Sequence, residues 1–252
     1  MRREAKADER RRARFAVYFV PEDDTALACF GHGVLGRDAL ARAVPPLEGL
    51  APAPPAWTET PARYGFHATL KAPFYLAPDA TEGALGETCA ALARAHPPCP
   101  LTGLAVARLA RFAALVLPGP NAAVDTLAAD CVIGLEPFRA PLDAATLARR
   151  RPETLEPAAR ERLERWGYPH VLEGFRFHMT LSGPLPEAEP AVERWIDSLA
   201  RRFDERVGAG AALDRLVLCR EAAPGAPFVR VAQFPLSSSA AGPPPVGLGE
   251  AS

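Results

Sequence analysis

The chain opens its apolar pattern with Phe15-Ala-Val-Tyr-Phe-Val20, a strand-like run stopped by Pro21. Six prolines mark 45–62 as a loop, and Arg63–Phe74 reads as a second strand ended by Pro73. Leu85, Cys89 and Leu92 recur at helical spacing and predict a helix over 82–95, with Thr81 as its N-cap. Leu101–Leu117 alternates and breaks near Arg111, as a β-hairpin does. Val124, Leu127, Cys131 and Leu135 predict a helix at 122–136. The charged stretch 140–170 reads as helical, with Pro157 near one start and Gly167 at one end. Phe175–Ser182 is the next strand, stopped by Pro184. Pro190 opens a helix on which Val192, Trp195, Ile196, Leu199 and Phe203 keep the 3.6-residue period. Leu213–Cys219 and Phe228–Phe234 make a last hairpin. Residues 1–13 (basic) and 237–252 (Ser, Gly, Pro and Ala) read as disordered tails.

This order contains a repeat: strand, helix, hairpin occurs at 64–117 and again at 175–234. Aligning His67 with His178 pairs Phe66-His-Ala-Thr-Leu-Lys-Ala-Pro-Phe with Phe177-His-Met-Thr-Leu-Ser-Gly-Pro-Leu, five of nine positions being identical. Two similar lobes related by a pseudo-two-fold axis are the natural expectation.

Side chains alternate along a strand. Phe66, Ala68 and Leu70 share one face of the first motif, and His67, Thr69 and Lys71 the other. In the second motif Phe177, Met179 and Leu181 lie opposite Arg176, His178, Thr180 and Ser182. His and Thr two apart stand about 7 Å from each other on one side of a strand. If the lobes face one another, two imidazoles and two hydroxyls meet in one cleft. That set suits phosphodiester cleavage. One imidazole takes a proton from water, the other gives one to the departing oxygen, and hydroxyls with a nearby cation hold the non-bridging oxygens. Histidine fits the task because its pKa near 6.5 leaves both forms accessible at neutral pH. The sequence offers no metal-ligand set, and neither a metal nor an organic cofactor is expected.

Read singly, each histidine is more readily a satisfied strand residue than a catalytic one, so the weight rests on the repeat. Lys71, Arg176 and Ser182 enter as phosphate-binding candidates from the alternation alone. Tyr18 faces either cleft or core. His170 reads as a surface-loop residue beside the second motif, and His32 and His96 as bland. Arg139 is expected in a salt bridge of the inter-lobe segment, the alternative being contact with a second phosphate. Cys89 and Cys131 are expected as small core residues.

Charge narrows the partners. Residues 2–14 hold seven bases and three acids, which leaves 22 bases and 27 acids, a net of −5, in the rest of the chain. A basic track for a polyanion is not visible there, so a small phosphorylated substrate is favoured over a nucleic acid. Arginine outnumbers lysine 27 to 2, so runs such as Arg149–Arg151 carry little weight as binding signals. Five cysteines without a CxxC pair argue for reduced thiols, and no apolar stretch has a membrane span's length. A cytoplasmic protein without a membrane partner is expected. The oligomeric state stays open.

The paired Phe-His-x-Thr-Leu segments resemble the two-histidine (2H) phosphoesterase superfamily. Tyr64–Phe74, Phe138-Arg-Ala-Pro-Leu142, Trp166-Gly-Tyr-Pro169 and Phe175–Leu185 are most similar to a branch associated with bacterial phosphonate-utilisation operons. The resemblance implies an α+β, bilobal fold with a central cleft over 14–236: lobe one about 14–118, a helical connector about 119–171, lobe two about 172–236. It implies His67 and His178 as the acid/base pair and Thr69 and Thr180 as phosphate-binding hydroxyls. The activity expected is hydrolysis of a cyclic or small linear phosphodiester, with a ribose cyclic phosphate from phosphonate breakdown as one candidate. An RNA-end phosphodiesterase or ligase and a non-catalytic phosphate-binding protein are the alternatives.

Overall fold

The structure, a computed structural model, describes residues 13–187, 189–208 and 210–237. The expected tails fall outside these residues except at their inner ends. Ala13 is buried against the core, and the Ser237 amide donates to the Ala93 carbonyl.

Among the described residues nine strands form: β1 (Arg14–Phe19), β2 (Ala68–Tyr75), β3 (Cys99–Pro100), β4 (Ala105–Leu109), β5 (Phe112–Val116), β6 (His178–Thr180), β7 (Ala212–Leu213), β8 (Arg215–Glu221) and β9 (Phe228–Pro235). The α-helices are α1 (Ala26–Leu35), α2 (Glu59–Ala62), α3 (Glu82–Ala95), α4 (Ala122–Gly134), α5 (Ala144–Arg149), α6 (Pro157–Trp166) and α7 (Pro190–Arg206). Seven strands make one antiparallel sheet in the order β4-β5-β6-β2-β1-β8-β9, and β3 pairs with β7 apart from it. The fold class is α+β.

Helices α1, α3, α4 and α7 cover one face of the sheet. Their apolar stripes, Leu85 and Cys89 on α3, Val124, Leu127 and Cys131 on α4, and Val192, Trp195, Leu199 and Phe203 on α7, pack on Val17, Ala68, Leu115, Met179 and Leu218. Each of these large helix residues is at most 1% exposed, and each such burial contributes about 1.5–3 kcal/mol before entropy is counted. Caps fix the helix ends as the sequence predicts. The Thr81 hydroxyl accepts from the Ala84 amide, and Gly167 closes α6 at φ 74°.

The two repeats interleave. β6, the second motif strand, pairs with hairpin β4–β5 from the first repeat, while β2 reaches hairpin β8–β9 through β1. Helices exchange likewise: α3 packs on β8 and β9, and α7 on β4. The spatial halves of the sheet are therefore not the halves of the sequence. The motif strands meet by direct pairing of β2 with β6 at the middle of one sheet.

Two elements differ from expectation. Helix α1 falls where no helix is predicted, because its sequence, ALACFGHGVL, is apolar on nearly every side and carries two glycines, so no stripe shows. Gly31 has a packing reason: a Cβ there would lie 2.0 Å from the ring of Phe66, which fills that space. β6 is three residues rather than eight. Leu172–Gly174 forms a 3-10 turn before it, and the amides of Leu181 and Ser182 converge on one acceptor, the Ala113 carbonyl, after it. Among the described residues, no helix is long and apolar enough to cross a membrane.

Candidate active site

Register builds the site. Ala68 pairs with Met179, and both point into the helix-side core. The same antiparallel register sets His67 opposite Thr180 and Thr69 opposite His178, all four on the other face. Directly opposed residues lie about 5 Å apart and diagonal ones about 7–8 Å. The two imidazoles thus stand diagonally across a two-strand ladder. A cavity of about 360 Å³ opens over them, lined by His67, Thr69, His178 and Thr180 together with Tyr18, Tyr64 and other residues.

The two histidines are held alike. His67 Nδ1 is 2.9 Å from the Gly65 carbonyl, and His178 Nδ1 is 2.8 Å from the Arg176 carbonyl. A carbonyl can only accept, so Nδ1 of each ring carries the proton and each neutral ring keeps its lone pair on Nε2. The Thr69 hydroxyl lies 3.2 Å from His67 Nε2. The surroundings differ. The His67 ring stacks on Tyr18 at 3.9 Å between centroids and 27° between planes. Burial, helped slightly by the charges of His178 and Arg37, draws its pKa down to about 4 against the hydrogen bond to Gly65. His67 is therefore neutral at pH 7, with an unprotonated nitrogen available.

The turn into the first motif is fixed from behind. Arg37, itself buried, donates to the carbonyls of Ala62, Arg63 and Phe228. Gly65 takes φ +75°, a conformation that costs glycine least. The proline-rich loop folds over the cleft's edge, with Trp57 edge-on to Trp195 and its carbonyl accepting from the Gly183 amide.

The alternation argument fails for Lys71. Val17 pairs with Lys71, yet the next residue, Tyr18, pairs with Thr69, so Leu70 is an extra residue in a β-bulge. Paired residues share a face, and Val17 is on the helix side. Lys71 consequently turns away from the histidines. It is 3% exposed, and its ammonium donates to the Val132 carbonyl at the end of α4 and to Glu136 Oε2 at 2.7 Å. Glu136 also holds Arg139, the salt bridge expected for that residue.

Ser182 and Arg176 are likewise occupied. Ser182 edges the cavity, but its Oγ accepts from the Ala113 amide and donates to the Gly183 carbonyl. Arg176 lies before β6, is exposed, and donates to the carbonyls of Glu173 and Phe175. It borders a neighbouring, mainly apolar cavity of about 460 Å³ on the other flank of His178, beside Phe112, Phe175 and His170.

Sequence reasoning missed four cleft residues: Arg14, Tyr64, Arg150 and Tyr168. They come from separate parts of the chain; Tyr64 and Tyr168 lie in segments that carry the family resemblance, Arg14 and Arg150 in none. Arg14 and Arg63 share the fully buried Glu221, whose pKa they hold down against burial. Among the described residues, no group of three or more His, Cys, Asp or Glu gathers as a metal site.

The profile of a family described as "Protein of unknown function (DUF1045)" matches residues 69–229. The chain belongs to the DUF1045 family. The match takes in Thr69, His178 and Thr180 and begins two residues after His67. Membership of DUF1045 agrees with the resemblance to two-histidine phosphoesterases that the paired motifs carry. This DUF1045 chain is 38% identical over 231 residues to "Ribose 1,5-bisphosphate phosphokinase PhnN" of Janthinobacterium sp. (strain Marseille), covering 89% of the chain and 51% of that protein. It is 38% identical over 193 residues to the protein of the same name from Laribacter hongkongensis (strain HLHK9), covering 76% and 44%. The chain spans about half the length of these relatives. Among solved structures, E. coli LigT complexed with NADP+ is similar at 15% identity and a TM-score of 0.41, covering 90% of this chain and 99% of that one. ATU0111, a conserved protein of unknown function from Agrobacterium tumefaciens str. C58, is similar at 15% identity and a TM-score of 0.40, covering 88% and 85%.

Proposed function

We propose that this DUF1045 chain is a phosphodiesterase that opens a cyclic or small linear phosphodiester with its two histidines and without a metal. The observation that supports this most is the matched pair of rings, each fixed by an Nδ1–H to a backbone carbonyl and each bordering one cavity with a threonine hydroxyl opposite. His67, kept neutral by burial, is the general base: its Nε2 takes a proton from the attacking water. The water oxygen bonds to phosphorus as the bond to the leaving oxygen breaks, and protonated His178 gives that oxygen its proton. Thr69 and Thr180 donate to the non-bridging oxygens as charge builds. One water is added in total, and solvent returns the two rings to their starting protonation.

The phosphokinase name belongs to relatives about twice as long. Neither lysine here, Lys6 or Lys71, stands in the glycine-rich setting, followed by Ser or Thr, of a phosphate-binding P-loop. The kinase activity is therefore not carried to this chain. The ribose bisphosphate in that name, with the resemblance to phosphonate-operon proteins, makes phosphorylated ribose cyclic esters the first compounds to try.

The test is a screen of nucleoside 2′,3′-cyclic and ribose 1,2-cyclic phosphates followed by phosphorus NMR, which names both substrate and cleaved bond. On a substrate so found, His67→Ala and His178→Ala should each lower kcat by about 10²–10⁴-fold while the fold is kept. Activity should survive EDTA. Wild-type rates in either variant, or loss on chelation with rescue by added metal, would overturn the mechanism. A ligand bound tightly but never turned over would instead mark a binding protein.

A further inference from the structure

Arginines around the cleft are mostly occupied. Arg14 is paired with Glu221, Arg139 with Glu136, and Arg37 and Arg176 with backbone carbonyls. Arg150 is different. Among the described residues its guanidinium has no ion pair and no hydrogen bond, and its one close partner is the ring of Tyr168, 5.0 Å from Cζ to centroid. It is nonetheless half-buried. Burial and the nearby charges of Arg14 and Arg149 hold its pKa below the usual arginine value. A half-buried guanidinium on an open cavity, with no protein acceptor among the described residues, keeps its five donors free for an anion that enters there.

Its position says what that partner touches. Arg150 lines the cavity over the histidines, and it also lines a narrow side cavity of about 50 Å³ bordered by Arg14, Arg139 and Arg149. It therefore stands at the junction of the two cavities, as Arg14 does, and the side cavity's one acid is Asp143. Two tyrosines, Tyr64 and Tyr168, share the cleft with it and offer apolar walls with polar tips.

We propose that Arg150 receives a second anionic group of the substrate, a phosphate monoester carried on the same molecule as the scissile diester. This rests on the phosphodiesterase reading of the cleft and deepens it: the substrate class becomes a doubly phosphorylated small molecule. A guanidinium takes a phosphate in a two-pronged fashion, which sets the molecule's orientation as well as adding attraction. Arg14, already neutralised by Glu221, lends its face to the subsite but less net charge.

The test compares two substrates that differ by one phosphate, a nucleoside 2′,3′-cyclic phosphate and its 5′-phosphorylated form. Wild-type protein should prefer the 5′-phosphorylated compound. In Arg150→Met the ratio of the two kcat/KM values should fall by about 30-fold or more, and Arg150→Lys, which keeps the charge but not the fork, should lie between. A ratio unmoved in Arg150→Met, whatever the loss in absolute rate, would overturn the proposal, since a purely structural role damages both reactions alike. Calorimetry with inorganic pyrophosphate, two linked anions, keeps the question separate from turnover. Its affinity should drop about tenfold or more in Arg150→Met, and equal affinities would count against the subsite. Wild-type protein that cleaves neither compound nor a ribose 1,2-cyclic phosphate would refute the phosphodiesterase reading, and the pyrophosphate comparison would still decide for or against Arg150.

Discussion

Replacing Lys71 with methionine separates a lysine that holds the fold from one that holds a phosphate. Methionine keeps the length of the stem, so little cavity opens, and only the ammonium is lost. Two partners then lack their donor. The Val132 carbonyl is one of the last four of α4, without a partner inside the helix, and it receives Lys71 Nζ at 2.8 Å. A buried acceptor left unsatisfied costs about 1–3 kcal/mol. Glu136 loses a contact of 2.7 Å but keeps Arg139 and is 23% exposed, so this half falls well short of the roughly 3–5 kcal/mol of breaking a fully buried pair. Removing the desolvated ammonium returns part of the loss. The net expectation is a destabilisation of about 2–4 kcal/mol, which lowers Tm by about 4–16 °C in a chain of this size. Thermal and urea unfolding measure that, and kcat/KM on a verified cyclic phosphodiester should stay within about threefold of wild type. An unchanged Tm accompanied by a loss of 10²-fold or more in turnover would show that Lys71 reaches the cleft and that the β-bulge reading is wrong.

The pH profile of kcat/KM should rise through about pH 4, where neutral His67 becomes available, rather than near 6.5. An acid limb near 6.5 that vanishes in a His67 variant would contradict its assignment as a neutral base. The same shift acts on stability. Between about pH 6.5 and 4 the unfolded chain takes up a proton at His67 that the folded one resists, so stability falls as pH drops through that window. His67→Gln should flatten this slope in urea unfolding, and an unaltered slope would argue against the depressed pKa. Gly31→Ala places a Cβ about 2.0 Å from the Phe66 ring, beside His67. It should cost about 1–3 kcal/mol by overpacking and slow turnover as Phe66 shifts. A wild-type Tm in that variant would mean that the ring has room to move.

Much of the architecture was legible because it rests on local rules. Thr81, Pro157, Gly167 and Pro190 mark helix ends through caps and missing donors, and the stripe on 190–206 faces the sheet as its period requires. The motif faces were legible as far as alternation holds. It holds at Phe66-His-Ala-Thr and at Phe177-His-Met-Thr, which is why His67, Thr69, His178 and Thr180 share one cavity. It breaks at Leu70, where a bulge depends on the partner strand, and so Lys71 was misplaced. Helix α1 lacked a stripe because it is buried on most sides, between Phe66 on one element and Phe203 on another. Arg150 was discounted as one of many arginines. Its place on the cleft without an acidic or carbonyl partner among the described residues sets it apart, and the chain's linear order does not show that.

The sequence by itself determined which residues repeat, which faces are apolar, and that two His-x-Thr units exist to be brought together. Those properties follow from spacing along one strand or one helix. Tertiary structure decided how the units meet: β2 pairs with β6, the hairpins and helices of the two repeats exchange sides, and the diagonal of one ladder juxtaposes the imidazoles. It also decided that burial keeps His67 neutral and that Arg150, on the cleft, has no ion pair or hydrogen bond among the described residues. Register, burial and charge pairing depend on residues more than a hundred positions apart, such as His67 with His178 or Arg14 with Glu221. Nothing in local spacing encodes them, because each is fixed only when the whole sheet closes on its core.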